Sequence, residues 1–588
     1  MPPSLPRLTI HPRETETCPP RLIHIFTRQL VEFNTDVNAP PYAILSHRWE
    51  DTLEQFMLPE ERESLIPGEV SYKEYLAAQA DPSVVQTLDI VLKSGYKKIQ
   101  DACSKALELG LEYIWIDTCC IDRDSPTDMA RNIRSMYSYY RNSAVCLVYL
   151  YSTKRWNVEV TKWFKRGWTL LELLAPKEEL FFNEKWTFMG SRSSRKTDIS
   201  KHTGIPEKVL DGTMPIDDVD VQQRLSWIWG RKTTKPVDLA YCLMGLLKFD
   251  LEPDYNQPTE VVFGKMEEEL RRLYPTLCFS AGFLAWSRHV SENWNVPPVS
   301  SKFVRKSQKC PLRFIDARTL RIETFSENQM IPPYAILSHR WIDGQEITLR
   351  EYQNPLFDRR SKSGFSKIQK ACFVALQLKL NYLWTDTCCI DQDDPIDKGQ
   401  NIGSMFSYYQ NSVVCLAYIF DVKDGESSLA YSKWFTRGWT LQELVAPAEE
   451  FFFDKEWTFI GTRSQLTSMI YWVTGIEEDI LRGGNIYRVH ARNRIGWARG
   501  RETTQAQDMA YCLLGILGVE LDVDYAESIQ STFQRLEDAF SDAYPEIKLP
   551  IRGLFLFLVG EATKLPVPSL EKVHTSVDVM RSATENEV

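Results

Sequence analysis

A 58-residue stretch of this chain returns 269 positions later with little change. Residues 94–151 read SGYKKIQDACSKALELGLEYIWIDTCCIDRDSPTDMARNIRSMYSYYRNSAVCLVYLY. Residues 363–420 read SGFSKIQKACFVALQLKLNYLWTDTCCIDQDDPIDKGQNIGSMFSYYQNSVVCLAYIF, with 35 identities in 58 ungapped positions. The repetition runs wider than this window. PPYAILSHRW occurs at 40–49 and 332–341, KWFKRGWTLLELLAP at 162–176 returns as KWFTRGWTLQELVAP at 433–447, and DLAYCLMGLL at 238–247 returns as DMAYCLLGIL at 508–517. A period near 270 residues is too long for a solenoid, whose units span roughly 20–50, so each copy is expected to be a whole folded unit. Tyr42 pairs with Tyr334 at an offset of 292 and Asp117 with Asp386 at 269, so the first copy carries 23 extra residues after SHRW. They fall in the polar 51–93 stretch, which reads as a variable and exposed surface loop.

The repeat divides the chain into an N-terminal lead-in (1–38), a first domain (39–285, with 51–93 as the insertion), a linker and first-strand region of the second unit (286–330), a second domain (331–545), and a C-terminal tail (546–588) read as largely disordered. Apolar residues make up 43% of the 588, with 17 Trp, enough for real cores. A net charge of −10 argues against a nucleic-acid binder, which needs clustered Lys and Arg to neutralise phosphate. No apolar run approaches the roughly 20 residues of a membrane helix, and the first residues have no apolar signal core. A cytoplasmic protein is expected. The adjacent pairs Cys119–Cys120 and Cys388–Cys389 lie in apolar, strand-like runs without C-x-x-C spacing, and read as buried reduced thiols; no metal site is expected.

Along one unit, YAIL (42–45) reads as a buried strand ending in Ser46, His47, Arg48 and Trp49. Ile99, Ala102, Cys103, Ala106 and Leu107 describe an amphipathic helix able to stop at Gly110. YIWI (113–116) is a second strand ending at Asp117, and Ser125 to Asp128 reads as a capping box opening a helix with Pro126 at its first position. VCLVYL (145–150) is a third strand, Trp168–Leu174 a helix stopped by Pro176, and ELFF (179–182) a fourth strand. Apolar strands alternating with helices predict an α/β fold with a parallel sheet covered on both faces. After about 200 the pattern turns helical, which predicts a helical subdomain following each sheet. Ligands of such sheets bind beyond the carboxyl ends of the strands, where SHRW and DTCCID both lie.

YAILSHRW, YIWIDTCCID, WFKRGWTLLELLAP and the RKTT…DLAYCLMGLL segment resemble, in order and spacing, the blocks of the fungal heterokaryon-incompatibility (HET) domain family, over about 42–250 and 334–520. The resemblance implies two tandem copies in a protein of non-self recognition and programmed cell death. A more distant likeness is to Toll/interleukin-1-receptor (TIR) domains, which are flavodoxin-like: ILSHRWEDT (44–52) is similar to their first strand and loop, and WTLLEL (168–173) to their W-C-L-D-E-L helix. Some TIR domains cleave NAD with the glutamate of that helix. By position the likeness marks Glu172 and Glu443 as catalytic, with NAD as a possible substrate and no cofactor. Ser46, His47, Arg48, Trp49 and Asp117, with Ser338, His339, Arg340, Trp341 and Asp386, would line the ligand site. Arginines there suit a diphosphate and tryptophans a nucleotide ring.

Each assignment has a plainer reading. Glu172 and Glu443 read as well as helix-surface carboxylates facing Arg166 and Arg437; the histidines and aspartates read as loop and cap groups; the tryptophans read as core. Asp238 and Asp508 read as structural residues in a first helical turn. The copies differ at Leu171 and Gln442. The expected partners are a second copy of the chain or an incompatibility partner protein, and signalling by homotypic self-assembly without catalysis is the alternative function.

Overall fold

The computed structural model describes residues 5–6, 8, 17–33, 39–47, 68–80, 90, 93–150, 156–158, 161–275, 277, 281–299, 305–423 and 429–547. Arg48, Trp49, most of the 51–93 insertion and nearly all of the tail lie outside them. The chain divides into two compact units, Met1–Trp294 with Arg318–Leu320, and Asn295–Ala317 with Arg321–Val588.

In the first unit the strands are β1 (Arg21–His24), β2 (Leu30–Glu32), β3 (Tyr42–His47), β4 (Tyr113–Trp115), β5 (Val145–Tyr149), β6 (Glu179–Phe182) and β7 (Phe188–Ser191). The helices that matter to the site are α1 (Tyr72–Ala80), α2 (Ser94–Glu108), α3 (Asp117–Cys120), α4 (Pro126–Asn142) and α5 (Thr169–Leu174). The sheet order is β2-β1-β4-β3-β5-β6-β7. Its centre, β4-β3-β5-β6, is parallel, with Ser46 opposite Val148 and His47 opposite Tyr149 in the β3–β5 register. β3 and β6 are buried throughout and β5 is buried through Val148, which explains why their sequences read as unbroken apolar runs. The reversal of strand order beside β3 opens a crevice at the carboxyl ends of β3 and its neighbours.

Four features depart from the sequence expectation. The sheet is mixed rather than wholly parallel: β1 pairs antiparallel with β4, and β7 with β6. The β1–β2 hairpin comes from the stretch read as a lead-in, and it covers the edge that short β4 would otherwise leave unpaired. Cys119 and Cys120 sit on the one-turn helix α3, not on a strand, and are buried free thiols. The capping box at α4 is half made. Ser125 accepts from the Asp128 amide at 3.3 Å, but the Asp128 carboxylate turns away, accepting from the Asp122 amide at 2.9 Å and pairing with Arg21.

The second unit repeats this plan with β8 (Arg313–Asp316), β9 (Arg321–Thr324), β10 (Ala335–His339), β11 (Tyr382–Trp384), β12 (Val414–Tyr418), β13 (Glu450–Phe453) and β14 (Phe459–Thr462), in the order β14-β13-β12-β10-β11-β8-β9. Its helices are α6 (Ser363–Gln377), α7 (Asp386–Cys389), α8 (Pro395–Gln410) and α9 (Trp439–Val445).

In each unit short helices follow the sheet, and a buried arginine ties them to it. Arg231 donates to the carbonyls of Trp227 at 2.9 Å and Arg166 at 3.0 Å; Arg501 does the same to Trp497 at 3.1 Å and Arg437 at 2.9 Å. The glycine of the RGW motif has a packing cause: a Cβ on Gly167 would lie 2.5 Å from Thr233 Cγ2, and one on Gly438 2.5 Å from Thr503 Cγ2. The RGW and T-T blocks therefore belong together, since one packs directly on the other.

Candidate functional site

The site is built where β3, α3 and α5 converge. The pleat alternates side chains along β3, so Ser46 and His47 at its end leave on opposite faces. Ser46, fully buried, hydrogen-bonds the Glu172 carboxylate through Oγ and accepts the indole N–H of Trp163 at 2.8 Å. Ser338 holds the same place in the second unit, bonded to Glu443 and accepting from Trp434 at 2.9 Å. Glu172 and Glu443 are therefore not surface carboxylates; they retain 8% and 5% exposure. Burial pushes Glu172 up to about 7, against the opposing pull of the Ser46 hydrogen bond and of Arg166. Burial pushes Glu443 up to about 8, with Asp386 adding to it and Ser338 and Arg437 opposing. Each group thus changes charge close to neutral pH, as a catalytic carboxyl requires.

On the other face His47 lies between two carboxylates, its Nε2 3.7 Å from Glu69 and its Nδ1 3.8 Å from Asp117. His339 Nε2 lies 3.5 Å from Glu346 and 4.0 Å from Asp386. A lysine completes the cluster: Lys98 pairs with Glu69, and Lys367 Nζ lies 2.6 Å from Glu346 Oε1. Burial works against ionised Glu69, yet His47 and Lys98 outweigh it and hold its carboxyl well below the usual range; His339 and Lys367 do this for Glu346.

Sequence reasoning missed Glu69 and Glu346, which fall in or beside the stretch read as an exposed, variable loop. The signal was present. GEVSYKEY (68–75) and QEITLREY (345–352) are the same block at an offset of 277, so the excess residues are split on either side of it. This short block is anchored, with Gly95 N donating to Gly68 O and Gly364 N to Gln345 O, both at 3.0 Å. Asp238 and Asp508 were read as structural helix-start residues. They do open short helices, and they also reach the site's edge: Tyr255 donates to Asp238 at 2.6 Å, Tyr525 to Asp508 at 2.5 Å, and Trp168 and Trp439 hydrogen-bond the same carboxyls.

Ser46 meets Glu172 on one face of the sheet and His47 meets Asp117 on the other, with Asp117 near enough to act on Glu172; Ser338, Glu443, His339 and Asp386 repeat this. Trp341 is 40% exposed and donates its indole N–H to Asp386 at 2.8 Å, leaving the ring at the rim, while Arg340 lies over the Phe420 ring at 5.6 Å. Among the described residues no group of three His, Cys, Asp or Glu is placed to hold a metal, and no helix is long and apolar enough to cross a membrane.

Comparison with known proteins agrees with this doubled architecture. The family model "Heterokaryon incompatibility protein (HET)" matches residues 42–160 and again 334–430. The vegetative incompatibility protein HET-E-1 of Podospora anserina is 39% identical over 236 residues, 38% of this chain, and the match spans 17% of that protein's length. No solved structure matches. The matched segments carry β3 with Ser46 and His47, α3 with Asp117, and their second-unit counterparts, so each unit contains one segment that matches the heterokaryon-incompatibility (HET) family model.

Proposed function

We propose that this chain is an effector of fungal heterokaryon incompatibility and cell death, and that its HET domains act by hydrolysing the nicotinamide–ribose bond of NAD. The observation that carries the reading is the near-neutral glutamate at the strand ends, hydrogen-bonded to Ser46 or Ser338 and close enough to Asp117 or Asp386 to feel its charge. In this chemistry the C1′–N bond breaks with its electron pair going to the nicotinamide, which leaves neutral. Positive charge develops on the ribose, and an adjacent carboxylate stabilises it. Water adds to C1′ and releases one proton, so the products are ADP-ribose, nicotinamide and H⁺. Glu172 and Glu443 supply the carboxylate in their ionised form. Trp341 offers a ring for the nucleotide, and Arg340, once off Phe420, a charge for the diphosphate.

One observation favours the alternative, a non-catalytic module that signals by self-assembly: the small exposure of both glutamates, each held beneath a tryptophan-bonded serine. Cellular NAD after induced expression separates the two. The expected result is NAD loss with the wild-type chain, retained in Glu172→Gln or Glu443→Gln according to which copy is active and abolished in the double variant at equal soluble level. Cell death with NAD unchanged, or an equally toxic double variant, would replace the enzyme with the assembly module.

A further inference from the structure

The copies differ on the helical side of the second unit. A cavity of about 320 Å³ opens there between α8, α9 and the short helix Leu514–Leu517, with Gly403, Phe406, Gln442, Tyr487 and Gly518 among its walls. The residues at the corresponding first-copy positions differ in kind. Gly403 stands where the first copy has Arg134, which hydrogen-bonds Asp250 at 2.7 Å and Glu252 at 3.0 Å. Gly518 stands where it has Lys248, paired with Asp217 at 2.5 Å. Two long, tethered cations have become glycines.

A third difference points into the opening. Gln442 is 2% exposed, and its Nε2 has no hydrogen-bond partner among the described residues; the first copy has Leu171 at this position, also 2% exposed. A buried amide N–H without an acceptor is destabilising, a cost that an apolar leucine avoids. The amide therefore marks a place where an acceptor oxygen belongs.

The geometry points to a small-molecule site confined to the second copy, taking a compact carboxylic acid with an apolar body. The carboxylate accepts from Gln442 Nε2, the body packs on Phe406 and Leu514, and Lys306 and Lys309 at the lining favour an anion. Glu520 offsets part of that charge by pairing with Lys309 at 2.6 Å. The volume lies at the lower end of ordinary ligand pockets, roughly 300–1,000 Å³, which suits a single-ring acid. The cavity is lined by none of Ser338, His339, Asp386 and Glu443, and the proposal does not depend on their chemistry.

The test uses the full chain with benzoate, benzamide and benzylammonium as probes, read by saturation-transfer NMR. Benzoate should bind the wild type best. Binding should weaken at least tenfold in Gln442→Leu, which installs the first-copy residue, and in Gly403→Arg, which fills the cavity. The second variant should fold: a Cβ on Gly403 meets only Leu521 O at 4.0 Å, and arginine favours a helix over glycine. Unchanged melting temperatures would tie the loss to the site. Benzoate binding equally well to both variants, no probe binding to the wild type, or a preference for benzylammonium would overturn the proposal.

Discussion

The two units share a skeleton and differ in the charges around it. In both, a serine at the end of the first parallel strand holds a buried glutamate, a tryptophan caps the serine, and a histidine sits between carboxylates. At the rim Arg123 lies 3.5 Å from Asp117 in the first unit. Its counterpart Gln392 instead donates to the Asp386 carbonyl at 3.1 Å. The glutamate of the second unit is held higher, about 8 against about 7. Buried hydrogen bonds resist change because each lost partner leaves a costly orphan, whereas rim charges are exchanged at little cost.

The largest test of the shared skeleton is its buried arginine. Arg192 donates to the carbonyls of Leu210, Leu173 and Lys177, and Arg463 to those of Leu481, Leu444, Pro447 and Ala448. Arg463→Met strands these four acceptors, so a loss of about 3–5 kcal/mol is expected in denaturant melts. Arg192→Met should cost about as much. A mild effect in one unit alone would break the equivalence of the two.

The next effect is pH dependence. Both glutamates titrate near 4.5 when unfolded and higher when folded, so between those values the folded state binds the extra proton. Stability from this source is fully present below about 4.5 and falls as pH rises, ending near 7 for Glu172 and near 8 for Glu443, at about 1.4 kcal/mol per unit. Glu443→Gln should flatten the decline further up the pH scale than Glu172→Gln. Identical profiles would show that the two buried carboxyls experience the same field.

The smallest effect is at the rim. Arg123→Gln, which gives the first unit the second unit's residue, should change stability by no more than about 1 kcal/mol, because the pair is long and the arginine 42% exposed. A larger loss in thermal melts would mean that Arg123 supports the site rather than bordering it.

Much of this was legible from residue order. The parallel strands, the α2 helix ending near Gly110 and the break at Pro176 follow from periodicity and stop signals, which act locally. The β1–β2 hairpin was not legible, since RLIH and LVE are too short to show a period. Glu69 was hidden by its setting in a polar insertion, although the second copy contains the matching block. The aspartates at 117 and 386 show in the sequence as strand-end residues, while the tyrosine-bonded aspartates at 238 and 508 carry only a helix-start signal there.

The sequence by itself determined that the chain carries one domain twice, where most of the parallel strands and the longer helices lie, and that SHRW and DTCC stand at strand ends. Its blocks also carried the resemblance to the heterokaryon-incompatibility domain, whose family model matches one segment in each unit. Only the tertiary structure decided that Ser46 meets a glutamate 126 residues away, that Glu69 reaches His47, and that a cavity opens at Gln442 but bears leucine in the other copy. The reason is physical. Helix and strand signals are written in the spacing of neighbouring residues, whereas a carboxyl's ionisation depends on the water it loses and the charges it meets. Those are set by which distant elements pack together.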